Sequence, residues 1–331
     1  RIVQSNCKLV LQLNCIAHEL RENMRLLNLG SLNIDRVYSV DHFVAAGETL
    51  SAASMEVFSG GKGLNQSVAL ARAGAEVVHG GAIGSDGLFL KEQLELSGAD
   101  TRFLQVTEFP TGHAVIQLTP EGKNCILICA GANGEISREY VDSLLTEFGP
   151  GDLLLVQNET SNAAYAIRQA KNKGMRVALN ASPVDGRLRT YPLEAVDYFL
   201  VNEIEGACLA GMDPSEDPEK ILEQMRRLYP NAVTVLTLGE RGVVCAAGET
   251  TLRRGIYKVN TVDTTAAGDT FCGYFLAGVA AGSSLEECLR QASLAGALAV
   301  TAKGAAPSIP TKQQVEQFEA SISGGAEAAE I

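Results

Sequence analysis

Tryptophan is missing from this 331-residue chain, aromatic residues make up 5% of it, and there are four histidines. His18, His42, His79 and His113 show no ligand spacing, and His18-Glu19 is not continued into H-E-x-x-H, so no zinc-type centre is expected. The eight cysteines form no C-x-x-C, and most lie inside apolar runs, as reduced core residues of a cytosolic protein would. Cys125 and Cys129 share a strand face but have no metal-ligand partners. No apolar run reaches the roughly eighteen residues that span a bilayer. Leu9 to Ala17 comes nearest to a secretory core, but Gln12 and Asn14 interrupt it and no small-residue cleavage site follows. Positive charge is short as well: 27 Lys and Arg stand against 39 Asp and Glu, a net charge of −12. Such a balance argues against non-specific binding to nucleic acid or an anionic membrane. Internal repeats and low-complexity linkers are absent too.

A hydrophobic content of 46% is ample for a buried core. The length allows two domains or one large α/β unit. Met24 stands directly before the first clean strand, Arg25 to Leu29. Residues 1–23 are therefore expected to be a leader, extraneous or disordered, and 24–331 a single domain with a loose tail after Ser323. Asn33 and Asp35 follow that strand, at the end where open α/β sheets bind ligands. Alternation from Arg36 to Phe58 predicts antiparallel strands with one wetted face, and strands between 103 and 128 are expected to join them. Glycines 60, 61 and 63 open a helix that is not a Walker A loop, because Gly61-Lys62 is followed by glycine. Nor do they form a dinucleotide fingerprint. From Leu153 onward, strands and helices alternate (strands at 153–156, 176–179, 198–201 and 233–236), which predicts a mostly parallel sheet covered on both faces.

The chain is organised around Asn260 to Gly273. A β-prone run, Ile256 to Val262, leads into Ala266-Ala267-Gly268, and Asp269 opens a buried helix ending at Gly282. Small residues at a helix start leave unpaired N–H groups and a dipole that suit an anion. A carboxylate one step away suits proton removal from a hydroxyl attacking phosphorus. Taken alone, Asp263, Thr264 and Asp269 could equally cap a helix.

Eight motifs in order resemble the ribokinase family of PfkB-type carbohydrate kinases, from about Arg25 to Phe318. They are G-S-L-N-I-D at 30–35, G-E-T at 47–49, S-G-G-K-G-L-N-Q at 59–66, G-S-D-G at 84–87, A-G-A-N at 130–133, N-E-I-E at 202–205, T-L-G-E-R-G at 237–242 and D-T-T-A-A-G-D-T-F at 263–271. The resemblance implies a three-layer α/β fold with a small β-sheet lid, from about 36–58 and 103–128. It implies ATP-dependent phosphorylation of the 5-hydroxyl of ribose, with deoxyribose, a fructose-type hexose or a nucleoside as alternatives, and a non-catalytic sensor as a remote one.

Position by position, Asn33, Asp35, Gly61, Lys62, Gly63, Asn65 and Glu159 match sugar-holding residues. Asp269 matches the catalytic base, and Ala266, Ala267 and Gly268 the anion hole. Asn202, Thr237, Leu238, Gly239, Glu240, Arg241, Gly242 and Ser293 match the nucleotide pocket, which Gly268 borders. Glu205 matches the residue that organises Mg²⁺ through water. Asp263, Thr265, Ala299, Ala302, Gly304 and Ser308 match a K⁺ site. The chain departs from the family at Val44-Ala45-Ala46, where a proline-containing turn is usual, and at Leu64 and Ser293. A cytoplasmic homodimer joined through the lids is expected.

Overall fold

The computed structural model describes residues 24–324; the leader expected at 1–23 and most of the tail lie outside the described residues. Nine strands form the larger sheet: β1 (Leu26–Leu29), β4 (Val77–Gly84), β5 (Leu104–Thr107), β8 (Leu153–Gln157), β9 (Arg176–Asn180), β10 (Tyr198–Asn202), β11 (Val233–Thr237), β12 (Val243–Ala247) and β13 (Thr250–Arg254). Their order is β13-β12-β11-β10-β9-β8-β1-β4-β5. All neighbours are parallel except β11–β12 and β12–β13. A second sheet, ordered β3-β2-β6-β7, contains β2 (Asn33–Ser39), β3 (Ser54–Gly60), β6 (Gly112–Leu118) and β7 (Asn124–Cys129).

Alternate side chains along the central strands feed two cores. Leu27, Leu29, Leu154 and Val156 pack with α3 (Arg138–Leu145), α4 (Ala163–Asn172), α5 (Glu203–Ala210) and α6 (Pro218–Leu228). Leu26, Leu153 and Leu155 pack on the other face with α1 (Lys62–Arg72), α2 (Leu88–Leu96), α7 (Ala267–Ala280), α8 (Leu285–Ala299) and α9 (Lys312–Gly324). A strand's two-residue period gives each face its own apolar row, and burial on both faces makes β1 and β8 read as continuous apolar runs. These are the three expected layers. Among the described residues, no helix is long and apolar enough to cross a membrane.

Three expectations change. Asn33 and Asp35 do not end the first core strand; they open β2, because the chain leaves the large sheet at Gly30 and enters the small one at once. The strand near 103–106 belongs to the large sheet, where Leu104–Thr107 pairs with β4. Gln105 and Val106 are both exposed on this edge strand, which therefore lacks the continuous apolar run of a buried parallel strand. Ile256 to Val262 forms no ladder; β-prone residues need a neighbouring strand, and this segment runs from β13 towards α7 without one.

β1 lies where the chain's progress across the sheet reverses, with β4 on one side and β8 on the other. The crevice beyond the carboxyl ends of such strands is where open α/β sheets hold ligands. Ser31, Glu159, Asn180, Asn202 and Thr237 all stand at those ends.

Candidate active site

At one end of the crevice, β2 and the start of α1 bring together carboxylates and amides. Asn33 is held by Asn133, whose Nδ2 donates to Asn33 Oδ1 at 2.9 Å while its Oδ1 accepts from the Leu32 N–H at 3.0 Å. Glu159 accepts from the Ser31 hydroxyl and from the Lys62 N–H, the latter at 3.1 Å. Burial, reinforced by the charge of Glu159, pushes the Asp35 carboxyl up to about 7. The start of α1 runs so close to the turn after β1 that any side chain on Gly63 would strike the backbone of Gly30 and Ser31. Gly61, the N-cap, has φ 95°, a value costly for any other residue.

Asn65 links this end to the next. Its Nδ2 donates to Asp269 Oδ2 at 2.9 Å, while its Oδ1 is buried with no partner. An orphaned acceptor of this kind costs free energy unless a ligand hydroxyl meets it. Gln66 Nε2 donates to Asp269 Oδ1, also at 2.9 Å.

Asp269 sits in the first turn of α7, buried, with Ala266 at the N-cap in the left-handed region, φ 60°. Non-glycine residues held there persist only where the surroundings dictate it, often at functional sites. A methyl group built on Gly268 would meet nothing within 4 Å beyond its chain neighbours and its own helix backbone, so the helix start opens onto free space. That space is a cavity of about 240 Å³ lined by Lys62, Asn180, Asn202, Glu205, Thr264, Ala266, Gly268 and Asp269. Burial works to lower the Lys62 ammonium, but the charges of Asp269, Glu159 and Glu205 outweigh it and hold the group above its ordinary value. The cavity therefore offers a fixed positive charge and a helix N-terminus to an anion. Glu205 and Asn202 close a capping box at the start of α5: Asn202 Oδ1 accepts from the Glu205 N–H, and Glu205 accepts from the Asn202 N–H and amide. A buried carboxylate fixed in this way, lone pairs spare, suits the water shell of a hydrated Mg²⁺.

A second cavity of about 600 Å³ adjoins the first and shares Thr237, Thr264, Gly268 and Phe271 with it. Gly239, Glu240, Gly242 and Ser293 line it, as the resemblance implies, and so do Ile256, Tyr257 and Val259 from the unladdered segment. Leu238 is buried behind, and Arg241 pairs with Glu203. Room for a planar base beside an anion-binding helix start fits a nucleotide.

Of the implied cation-site residues, Asp263, Thr265 and Gly304 are joined by hydrogen bonds. Asp263 Oδ1 accepts from the Thr265 N–H and hydroxyl at 2.9 and 2.6 Å, and its Oδ2 from the Gly304 N–H at 2.9 Å. Burial works to raise this carboxyl, but those donors and the charge of Lys303 hold it below the usual range. The Val300 carbonyl anchors residues 262 and 263, and Ser308 donates to the Ala305 carbonyl. Loops rich in carbonyl oxygens around one ionised carboxylate suit a large monovalent cation. Among the described residues, no cluster of three or more His, Cys, Asp or Glu could hold a metal.

Sequence reasoning left Gln66 without a role and passed over Asn180. Asn180 Nδ2 donates to the Leu200 carbonyl, leaving a buried, unpartnered Oδ1 on a cavity-lining residue. Its position as a polar residue closing a parallel strand was the available signal.

Residues 24–312 match the family model described as "pfkB family carbohydrate kinase". A ribokinase of Haemophilus influenzae is 36% identical over 298 residues, covering 88% of this chain and 96% of its own length. Among solved structures, ribokinase of Cryptococcus neoformans in complex with ADP superposes with a TM-score of 0.77 at 34% identity, covering 89% of this chain and 99% of that one. Ribokinase of Arabidopsis thaliana complexed with ribose and ATP gives 0.78 at 30% identity, covering 89% and 98%.

Proposed function

Because the chain belongs to the pfkB family of carbohydrate kinases, we propose that it transfers the terminal phosphoryl group of ATP to the primary 5-hydroxyl of ribose, giving ribose 5-phosphate and ADP. The sugar is held by Asn33, Asp35, Asn65 and Glu159, with the Gly61–Gly63 backbone beneath it. Vicinal hydroxyls need acceptors and donors set at fixed spacing, which carboxylates and amides supply. ATP occupies the larger cavity against Thr237 to Gly242 and Ser293, with its phosphates towards Asn202 and Lys62. Asp269 removes the hydroxyl proton as the oxygen attacks in line, and the N–H groups at 266–268 meet the charge that develops.

Mg²⁺, held through water by Glu205, supplies charge neutralisation at the phosphate oxygens when bound. K⁺ among Asp263, Thr265, Ala299, Ala302, Gly304 and Ser308 would stiffen the loop that leads into the anion hole. The small sheet acts as a lid over the sugar, and two lids join in a homodimer. A cytoplasmic location agrees with the six cysteines among the described residues, all of them free.

One observation carries the proposal: Asn65 holds the Asp269 carboxylate with its nitrogen and keeps its oxygen unpaired. The test is ADP release from MgATP with ribose, deoxyribose, fructose and adenosine in turn. Ribose is expected to give the highest kcat/KM. Another acceptor ahead of it would remove ribose and keep the kinase; no release above background hydrolysis with any of them would remove both.

A further inference from the structure

Behind Asp269 runs a file of buried polar side chains that the proposed chemistry does not use. Gln66 Nε2 donates to Asp269 Oδ1 at 2.9 Å. Gln66 Oε1 accepts from Gln157 Nε2 at 2.7 Å, and the same nitrogen donates to Asn28 Oδ1 at 2.9 Å. Asn28 Nδ2 then donates to the Gly63 carbonyl and to Ser67 Oγ, both at 2.8 Å, and Ser67 Oγ lies 2.8 Å from His79 Nδ1. All of these side chains are buried, most of them completely. They stand on β1, β4, β8 and α1, so the file crosses the buried centre of the large sheet and the helix packed on it.

The direction of each bond follows from the carboxylate. An ionised carboxylate only accepts, so Gln66 must turn its NH₂ to Asp269 and its carbonyl backwards. Gln157 must then present NH₂ to that carbonyl, and Asn28, facing the same NH₂, must present its oxygen. Turning any one amide round would set two acceptors against each other in a site without water access. Gln157 Oε1 and His79 Nε2 are left without partners, but each amide from Gln66 to Asn28 has one orientation, set by its neighbour.

We propose that Gln157 is a positioning residue for the phosphoryl-transfer base: acting through Gln66, it fixes the Oδ1 edge of Asp269, leaving Oδ2, shared with Asn65, to face the substrate hydroxyl. The proposal rests on the kinase function above. Gln157 has no hydrogen bond to Asp269; it reaches the carboxylate through the Gln66 amide, while its bond to Asn28 leads to the Gly63 carbonyl, which is why both KM values are measured beside kcat.

The test compares Gln157→Met, Gln66→Met, the double variant and Ser67→Ala, measuring kcat, KM for ribose and for ATP, and Tm. Each methionine keeps the side chain's length and removes the donor. Gln157→Met is expected to lower kcat by about tenfold, since a small misplacement of a reacting group is costly, with both KM values within about twofold of wild type. Gln66→Met should lose at least as much. The double variant should fall no further than Gln66→Met alone, because both act on one oxygen. Ser67→Ala, beyond the branch at Asn28, should lose stability but keep the wild-type kcat. Wild-type kcat in Gln157→Met, a parallel rise in KM, losses that multiply in the double variant, or an equal kcat loss in Ser67→Ala would each overturn the proposal. Should Gln157→Met fail to fold, Gln66→Met decides: an unchanged kcat there means that nothing depends on the Oδ1 contact. Wild-type protein inert towards every acceptor would sink the kinase function first, and this proposal with it, before any variant is compared.

Discussion

The Asp35 carboxylate occupies the space that a side chain on Gly60 would need: a methyl group built there would overlap both carboxylate oxygens. The two residues lie on adjacent strands, with Asn33 opposite Gly60 and Asp35 opposite Phe58. Gly60→Ala should therefore displace Asp35 while leaving the nucleotide cavity alone. Losing a charge-assisted hydrogen bond to a sugar hydroxyl predicts a rise in ribose KM of about 10- to 100-fold. Steady-state kinetics check it: an unchanged ribose KM, or an equal rise in KM for ATP, would show that Asp35 does not hold the sugar.

Asp35 also predicts a pH dependence. Burial, then the charge of Glu159, raises its carboxyl to about 7 from an ordinary 3.8. Below that point the group is protonated and loses acceptor capacity, so ribose KM should be flat at high pH. It should rise about tenfold per unit as pH falls below 7. The stability of the sugar-free protein moves the other way. Between 3.8 and about 7 the folded state binds the extra proton, so this group's contribution is complete at low pH and is lost as pH rises through 7. Tm should therefore gain a component on going from pH 8 to pH 6 that Asp35→Asn removes. A ribose KM constant from pH 6 to 8 would contradict the assignment.

Asp269 accepts one donor on each oxygen, from Asn65 and from Gln66. Asparagine offers one oxygen and one NH₂ group there, so Asp269→Asn removes the base and calls for Asn65 to turn its unpartnered oxygen towards the new NH₂. The expected loss is about 10²–10⁴-fold in kcat with modest change in either KM. Single-turnover phosphoryl transfer to ribose measures it, and full turnover in the variant would refute the role.

How much of this was legible in the sequence differs from element to element. The central strands were, because burial on both faces writes them as apolar runs. Asn65 and Asp269 were legible through the order of the motifs. Gln66 was not: its contact with Asp269 spans 203 positions and depends on how α1 lies against α7. Leu104–Thr107 went to the wrong sheet because a short edge strand with two exposed residues lacks the apolar run that marks the buried parallel strands. Asn180 looked like any strand end, since an unpaired oxygen is a property of surroundings, not of residue type.

Asp263 ties its own turn to the loop at Gly304, and that turn leads within three residues to Ala266 in its left-handed conformation. A cation bound there would steady the approach to the anion hole. Activity should rise with KCl when tetramethylammonium chloride keeps ionic strength constant, and Asp263→Ala should lose the response. The ratio of rates with and without K⁺ is the measurement, and an undiminished ratio in the variant would move the cation elsewhere.

Among the described residues the small sheet has two unpaired edges, β3 and β7, and β7 leaves apolar residues bare on both faces. Leu127 is 71% exposed on one face; Ile126 and Ile128 are 51% and 52% exposed on the other. A lid that only covered a sugar would need one apolar face at most, and exposed apolar edge strands invite pairing. Joining two lids about a twofold axis would cover one of these faces in each copy. Light scattering coupled to size exclusion should therefore find twice the chain mass. Leu127→Lys and Ile126→Lys, made separately, should differ: the one on the joined face gives monomer and raises ribose KM by loosening the lid, while the other leaves the dimer intact. Wild-type protein running as a monomer at micromolar concentration would reject the dimer, and both variants remaining dimeric would place its interface away from β7.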